Sequence, residues 1–468
     1  MGLSALLVLS APALLIGTGG VFSITKHGDP TTGVQRDPNL PRGECGQCHV
    51  SHAGTSPQPF ALFSANTNAL CYTSGCHSTS GAQNIYQGPL PYDASAHGTN
   101  SNMMWPGFDA SVDASAPRAR PSGDWGKCVN CHDPHGYNRD GSGLIPSLVV
   151  SREDKICIVC HDGSPSTKNI KNEINKTYRH PIATSGKHSV AENGTSSAFG
   201  ISATNNRHAE CVDCHNAHIA KPNTFPPSPP DASDRIRGVS RVSVTNGAAG
   251  STPIFTYRGP SDTTPPIAEY QVCFKCHSAW TTQPGGQTDL SVRFNNNNPS
   301  YHPVEAQGRN ININANAFIN NWDGTKLMYC TDCHTSDDSN IRGPHGSQYQ
   351  YILKKAFTAS SGQRTMFSTE LCFECHRYDT YANKDAGNTI KGYSRFNPPT
   401  FEKGHAFHVG DRRYPCYACH DSHGSTTRPH LIITGRNPGI NSYTETSTGG
   451  TCSPTCHSSQ TYNINYSR

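Results

Sequence analysis

The sequence predicts a fold that is mostly coil, with short helices and very few strands, wrapped around an extended interior that the polypeptide does not itself supply. Three observations lead there. Only 34% of the 468 residues are hydrophobic, thin material for the several cores a chain of this length would need. Gly 43 and Pro 34, with many Ser, Thr and Asn residues, favour turns and loops over long regular elements. The 20 cysteines all fall into close pairs, and histidine follows the second member of every pair. The formal charge of +4 comes without a basic stripe interleaved with aromatics, which argues against a nucleic-acid partner.

The first element is the opening MGLSALLVLSAPALLIGTGGVFS, which carries no charge before Lys26. Its apolar run from Leu3 to Ile16 is short for a bilayer span and suits an export signal over residues 1–23, although the usual basic start is missing. An uncleaved anchor is the alternative. No cysteine precedes Cys45, so none is placed to carry a lipid.

The cysteine pairs come next. Eight are CxxCH: Cys45/Cys48/His49, Cys128/Cys131/His132, Cys157/Cys160/His161, Cys211/Cys214/His215, Cys273/Cys276/His277, Cys330/Cys333/His334, Cys372/Cys375/His376 and Cys416/Cys419/His420. Two are stretched, Cys71/Cys76/His77 and Cys452/Cys456/His457. CxxCH is the attachment pattern of c-type haem: two thiols bond one porphyrin edge, and the adjacent imidazole turns under the ring to the iron. A disulfide framework would pair thiols without needing the histidine. A zinc ribbon uses CxxC without that invariable neighbour.

The sites alternate between two kinds. First-type sites carry a further histidine shortly afterwards: His52, His135, His218 and His423, with His345 in GPHG as the deferred equivalent after Cys330/Cys333. Second-type sites lack it, and four of the five follow an aliphatic residue, Leu70, Ile156, Val272 or Leu371. Upstream of the first-type sites stand His27, His97, His180, His302 and His405 or His408. The chain therefore divides into five tandem repeats of two sites each, residues 24–96, 97–179, 180–301, 302–404 and 405–468. First-to-second cysteine distances of 26, 29, 62, 42 and 36 residues show where insertions fall. The FPPSPP, NNNNPS and RNININANAFINNW segments are expected to be surface loops or contact arms.

Of 24 histidines, ten are proximal, which leaves enough to give every iron a second imidazole. The distal set is read as His27, His52, His97, His135, His180, His218, His302, His345, His405 and His423, with His188, His208, His408 and His430 left over. Met 5 rules out general His/Met ligation. Histidines three apart on one turn sit roughly 5 to 6 Å apart at Cβ, so the two rings of CHxxH are expected to serve neighbouring irons.

On these motifs the sequence resembles the doubled-CXXCH multihaem c-type cytochromes, especially those of bacteria that respire extracellular metal oxides, over essentially residues 27 to 457. CGQCHVSHAG looks most like the opening of the extracellular and filament-forming members. The resemblance implies ten covalently attached haem c groups in an exported, extracellular or cell-surface protein with no integral span after signal cleavage. Its expected partners are other redox proteins or extracellular electron acceptors. Self-polymerisation into a filament is the sharper form, with His27 and His430 as candidates to cross to a neighbouring subunit. The alternatives are a soluble or porin-associated periplasmic carrier and a multihaem reductase, against which stands the absence of any CxxCK.

Overall fold

The computed structural model describes residues 22–50, 58–73, 75–78, 92–100, 126–136, 148–149, 153–182, 208–222, 227–281, 287–310, 313–364, 367–396 and 403–463. The expected signal lies outside them but for its last two residues, as do His52 and His188. The chain forms two compact lobes, Met1–His161 and Asp162–Arg468.

The N-terminal lobe is coil punctuated by single helical turns such as Cys45–Gln47, Asn68–Cys71 and Cys128–Asn130, with Glu153–Ile158 the longest. A polar side chain does the work of a core at its start. Gln47, 1% exposed, donates its amide to the carbonyls of Asp37, Leu40 and Pro41 and accepts from the amides of Arg36 and Asp37. One glutamine thus satisfies the backbone of a loop that has too few apolar residues to bury.

In the C-terminal lobe the helix Glu269–His277 packs on the hairpin Arg241–Thr245/Ile254–Arg258. Ala268, Tyr270, Phe274, Phe294, Val304 and Met328 form its core, and Cys330 and Cys333 pack against it. The helix begins where Gln271 accepts the Ala268 amide and ends where the Ser278 hydroxyl donates to the Phe274 carbonyl at 2.6 Å. Two smaller clusters lie farther along, Phe373 with Ala382 and Val409, then Ile432 with Ile440 and Tyr443.

Two expectations are corrected here. The Asn-rich run after Phe294 is only in part a surface loop: Asn297 is exposed, but its two ends are not. Asn295 and Asn298 are fully buried: Asn295 donates to the carbonyls of Ala248 and Ser251, and Asn298 donates to those of Val292 and Arg293 while accepting the Gly250 amide. Asparagine can enter a core when it replaces backbone partners that a turn leaves open. The last cysteine pair is not on a helical turn: Cys452 stands in the strand Gly449–Pro454, between Ile440–Thr446 and Gln460–Asn463. Pro454, between its two cysteines, has no amide to close such a turn.

Candidate functional site

Each short CxxCH turn is closed by the histidine itself. The amides of His49, His132, His161, His215, His334, His376 and His420 donate to the carbonyl of the first cysteine of their own motif at 2.8 to 3.0 Å. This sets both thiols along one side of a turn with the imidazole leaving its end. In the stretched site the same bond survives: the His77 amide reaches the Cys71 carbonyl at 3.1 Å.

None of the twenty cysteines is spent in a disulfide. Among the described residues no group of three or more His, Cys, Asp or Glu side chains converges on a metal site. Burial pushes the thiols of Cys214, Cys333 and Cys419 up to about 12 and that of Cys375 to about 11. Such thiols are poor zinc thiolates and suit uncharged thioethers.

The imidazoles meet in twos. Near-coplanar rings face each other in His49 with His135 (5.9 Å, 14°), His215 with His345 (6.0 Å, 11°) and His334 with His423 (6.1 Å, 7°). Tilted rings do so in His77 with His27 (6.0 Å, 54°), His161 with His97 (6.1 Å, 63°) and His277 with His180 (6.3 Å, 55°). His420 with His405 and His457 with His408 lie between, at 6.1 Å with 30° and 29°. Two rings that share one metal at the ~2 Å typical of a metal–imidazole bond have centroids on the order of 6 Å apart, so the gap fits one bis-imidazole iron. His376 has His302 as an electrostatic neighbour.

Backbone carbonyls orient these rings. Nδ1 donates to the carbonyl of Phe60 from His49, of Arg235 from His215, of Tyr351 from His334 and of His430 from His420, at 2.8 to 2.9 Å. A carbonyl only accepts, so Nδ1 carries the proton and Nε2 is left free to bind a metal. Phe60, Tyr351 and His430 present their carbonyls from a left-handed backbone, φ 64°, 63° and 56°, which non-glycine residues adopt only under tertiary constraint. Burial, reinforced by neighbouring histidines, holds His376 down at about 3 and His420 and His423 at about 4, so these rings stay neutral near pH 7.

The upstream histidines use the same device across repeats. His27 donates Nδ1–H to the Pro134 carbonyl at 3.1 Å, His180 to that of Pro344 at 2.8 Å and His302 to that of Ser422 at 2.5 Å. Each acceptor immediately precedes the extra histidine of a later repeat, so one dipeptide orients one ring of an earlier repeat and faces another. In the C-terminal lobe a two-residue strand pair sets the register: Tyr178–Arg179 with Gly346–Ser347, and Ser300–Tyr301 with Gly424–Ser425. Glycine follows the histidine for steric reasons. A Cβ at Gly346 would lie 1.8 Å from the Glu173 carbonyl oxygen, and one at Gly424 would lie 2.0 Å from that of Arg293.

An Asx turn aims the extra histidine. Asp133, Asn216 and Asp421, each directly after a proximal histidine, accept the amides of His135, His218 and His423 at 2.9 to 3.0 Å. In the fourth repeat Thr335 takes this place and accepts the Gly343 amide at 2.8 Å, closing the excursion that brings His345 back. Lys176, bonded to Glu173 and Asp337 at 2.7 and 2.8 Å, ties that loop to the end of the second repeat.

Neighbouring sulfurs order the sites. In the N-terminal lobe Cys48 lies beside Cys71 and Cys76, and Cys71 contacts Cys128. In the C-terminal lobe Cys214 neighbours Cys273 and Cys276, Cys273 contacts Cys330, Cys333 neighbours Cys372 and Cys375, Cys372 contacts Cys416, and Cys419 neighbours Cys452 and Cys456. Along these two runs, successive sites in sequence are successive in space.

In the second repeat Cys131 and Cys160 also have aromatic and aliphatic neighbours. Both thiols are half-buried. Their amides donate to the first cysteine of their own motif, Cys131 to the Cys128 carbonyl at 3.1 Å and Cys160 to that of Cys157 at 3.2 Å. Cys131 stands near the buried Tyr92, whose phenol it helps to hold protonated, and Cys160 packs with Ile156 on the buried Val159. Both motifs thus share the turn geometry of the others.

Among the expected distal residues, His27, His97, His135, His180, His345, His405 and His423 face a proximal ring, and His302 lies near His376. His218 is placed by its Asx turn, and His52 is outside the described residues. His408, counted as surplus, faces His457. His27 and His430, the expected candidates for a neighbouring subunit, are both engaged within the chain: His27 faces His77, and Nε2 of His430 meets Glu445 at 3.0 Å. The orienting carbonyls were missed because backbone acceptors have no residue signature. The Asx residue after the proximal histidine was a visible signal.

A family model described as the doubled CXXCH motif matches residues 38–82 and 123–165, which hold the first four cysteine pairs, the stretched Cys71/Cys76 site included. No curated protein and no solved structure matches the chain. Among the described residues no helix is long and apolar enough to cross a membrane. The doubled motifs, on a mostly coil fold whose thiol pairs and facing imidazoles fit covalently held haem, indicate a multihaem c-type cytochrome.

Proposed function

We propose that the chain is an exported decahaem cytochrome that carries electrons to extracellular acceptors through bis-histidine haems held in sequence order. One observation carries the reading: eight of the ten proximal imidazoles face a second imidazole at 5.9 to 6.3 Å. Haem c, when bound, supplies one-electron iron chemistry. The chain's residues do the rest. Thiol pairs would anchor the ten groups, Nδ1–carbonyl bonds present Nε2 to each iron, and buried neutral rings keep the ligands free of protons. An iron held on both sides has no position for a substrate, which favours electron transfer over reductase chemistry.

Intact mass of the holo-protein should show ten covalent haems, and its ferric EPR spectrum should be low-spin throughout. Fewer haems, or a high-spin component in the wild type, would overturn the reading. Electron microscopy of the same sample separates its forms: ordered filaments make it a conducting polymer, and discrete particles make it a soluble or porin-associated carrier.

A further inference from the structure

The fifth repeat departs from the arrangement of the first, third and fourth. There a later repeat lends both a carbonyl and a ring: Pro134 and His135 serve His27 and His49, Pro344 and His345 serve His180 and His215, and Ser422 and His423 serve His302 and His334. His457 faces His408 of its own repeat, as His77, His161 and His277 face His27, His97 and His180 of theirs, but His420 also stays within its repeat and faces His405. The orienting carbonyl is local too, since Nδ1 of His408 donates to Gly404 at 2.7 Å.

The backbone at this point is a π turn, Ala406–Asp411, in which the Arg412 amide reaches back to the Phe407 carbonyl at 2.9 Å. A π turn is wider than an α turn and opens the angle between side chains three apart, and such turns concentrate at functional positions. Here it sends two histidines to two different partners. Aromatic rings of the fourth repeat hold them: Tyr381 and Phe396 stand edge-on to His405 at 5.1 Å each, and Phe396 stacks on His408 at 6.3 Å and 15°.

We propose that His405 and His408 form a terminal ligand cap, each the distal ligand of a different haem, at Cys416/Cys419 and Cys452/Cys456 respectively. His408 takes the place that His27, His97 and His180 take in their repeats, and His405 stands in for the ring that a later repeat supplies to His49, His215 and His334, so the relay of ligands closes inside the fifth repeat and draws none from another molecule. The proposal rests on the bis-histidine reading above.

Ferric EPR of the full-length holo-protein tests it. His405→Ala and His408→Ala should each turn one haem high-spin, the double variant should turn two, and added imidazole should restore the low-spin spectrum. His405→Met should stay low-spin while gaining the near-infrared band of His/Met ligation and a raised potential at one haem, and it carries the test if the alanine variant fails to mature. An unchanged low-spin spectrum in His405→Ala would overturn the cap, as would a double variant with only one high-spin haem, which would mean that both rings compete for one iron. A wild type that lacks haem at these cysteines by peptide mass, or is already high-spin, would instead overturn the bis-histidine reading itself.

Discussion

The fourth and fifth repeats start from the same sequence grammar and reach their ring geometry by opposite routes. In the fourth, His334 faces His423, and His302 rests on a carbonyl 120 residues away, in a register set by the strands Ser300–Tyr301 and Gly424–Ser425. In the fifth, His408 uses a carbonyl four residues away on its own turn. Loop closure makes the distant contact entropically dearer by roughly 3 kcal/mol. The distant route ends in rings only 7° from coplanar, against 29° and 30° for the local one. A ligand borrowed across a strand pair is thus costlier to assemble and held in a different orientation from one presented on a single turn.

The largest effect should come from removing a borrowed ring. His423→Ala should turn the haem at Cys330/Cys333 high-spin by ferric EPR while both haems of the fifth repeat stay low-spin. A change in the fifth repeat instead would erase the distinction between the routes. Next is acid–base behaviour, which should belong to the fourth repeat. Burial, opposed by a 2.7 Å hydrogen bond from Asn246, pushes Glu305 up to about 7 from 4.5. Between those values the folded chain keeps a proton that the unfolded chain has released, so stability should fall by roughly 3 kcal/mol as pH rises through the window. Denaturant melts of the holo-protein at about pH 5 and about pH 8 should show this slope, and Glu305→Gln should flatten it.

A steric change should cost less. Gly424→Ala drives a Cβ to 2.0 Å from the Arg293 carbonyl oxygen and should destabilise by about 1 to 3 kcal/mol in chemical melts. Gly410→Ala, in the π turn, meets the Ala382 carbonyl oxygen at 2.7 Å and should cost less than that. The smallest effect is spectroscopic. Low-spin g-anisotropy follows the angle between ligand planes, so resolved EPR components should fall into a near-coplanar class (7° to 14°), a tilted class (54° to 63°) and the fifth repeat between them. A single class would break the comparison.

Much of the site was legible in residue order. Eight of the ten histidines that follow a second cysteine face another imidazole, and His345 of GPHG faces His215. Residue order did not say which distal ring goes to which proximal one, and it set His408 aside. It also read the Asn295–Asn298 run as exposed, because hydropathy registers the amide and not the backbone groups that the amide satisfies. The carbonyls of Phe60, Tyr351 and Pro344 carry no side-chain signal at all.

By itself, the sequence determined the attachment chemistry and its repetition, because both are local. Thiol spacing and the adjacent histidine act within one turn, and the same amide-to-carbonyl bond closes that turn even in the stretched Cys71/Cys76 site. Only the tertiary structure decided the ring partners, their tautomers and the spatial order of neighbouring sites. Those depend on strand pairs and carbonyls brought together from more than a hundred residues apart, as for His27 with Pro134, His180 with Pro344 and His302 with Ser422. No local spacing encodes a contact that exists only once the chain has closed the loop between its ends.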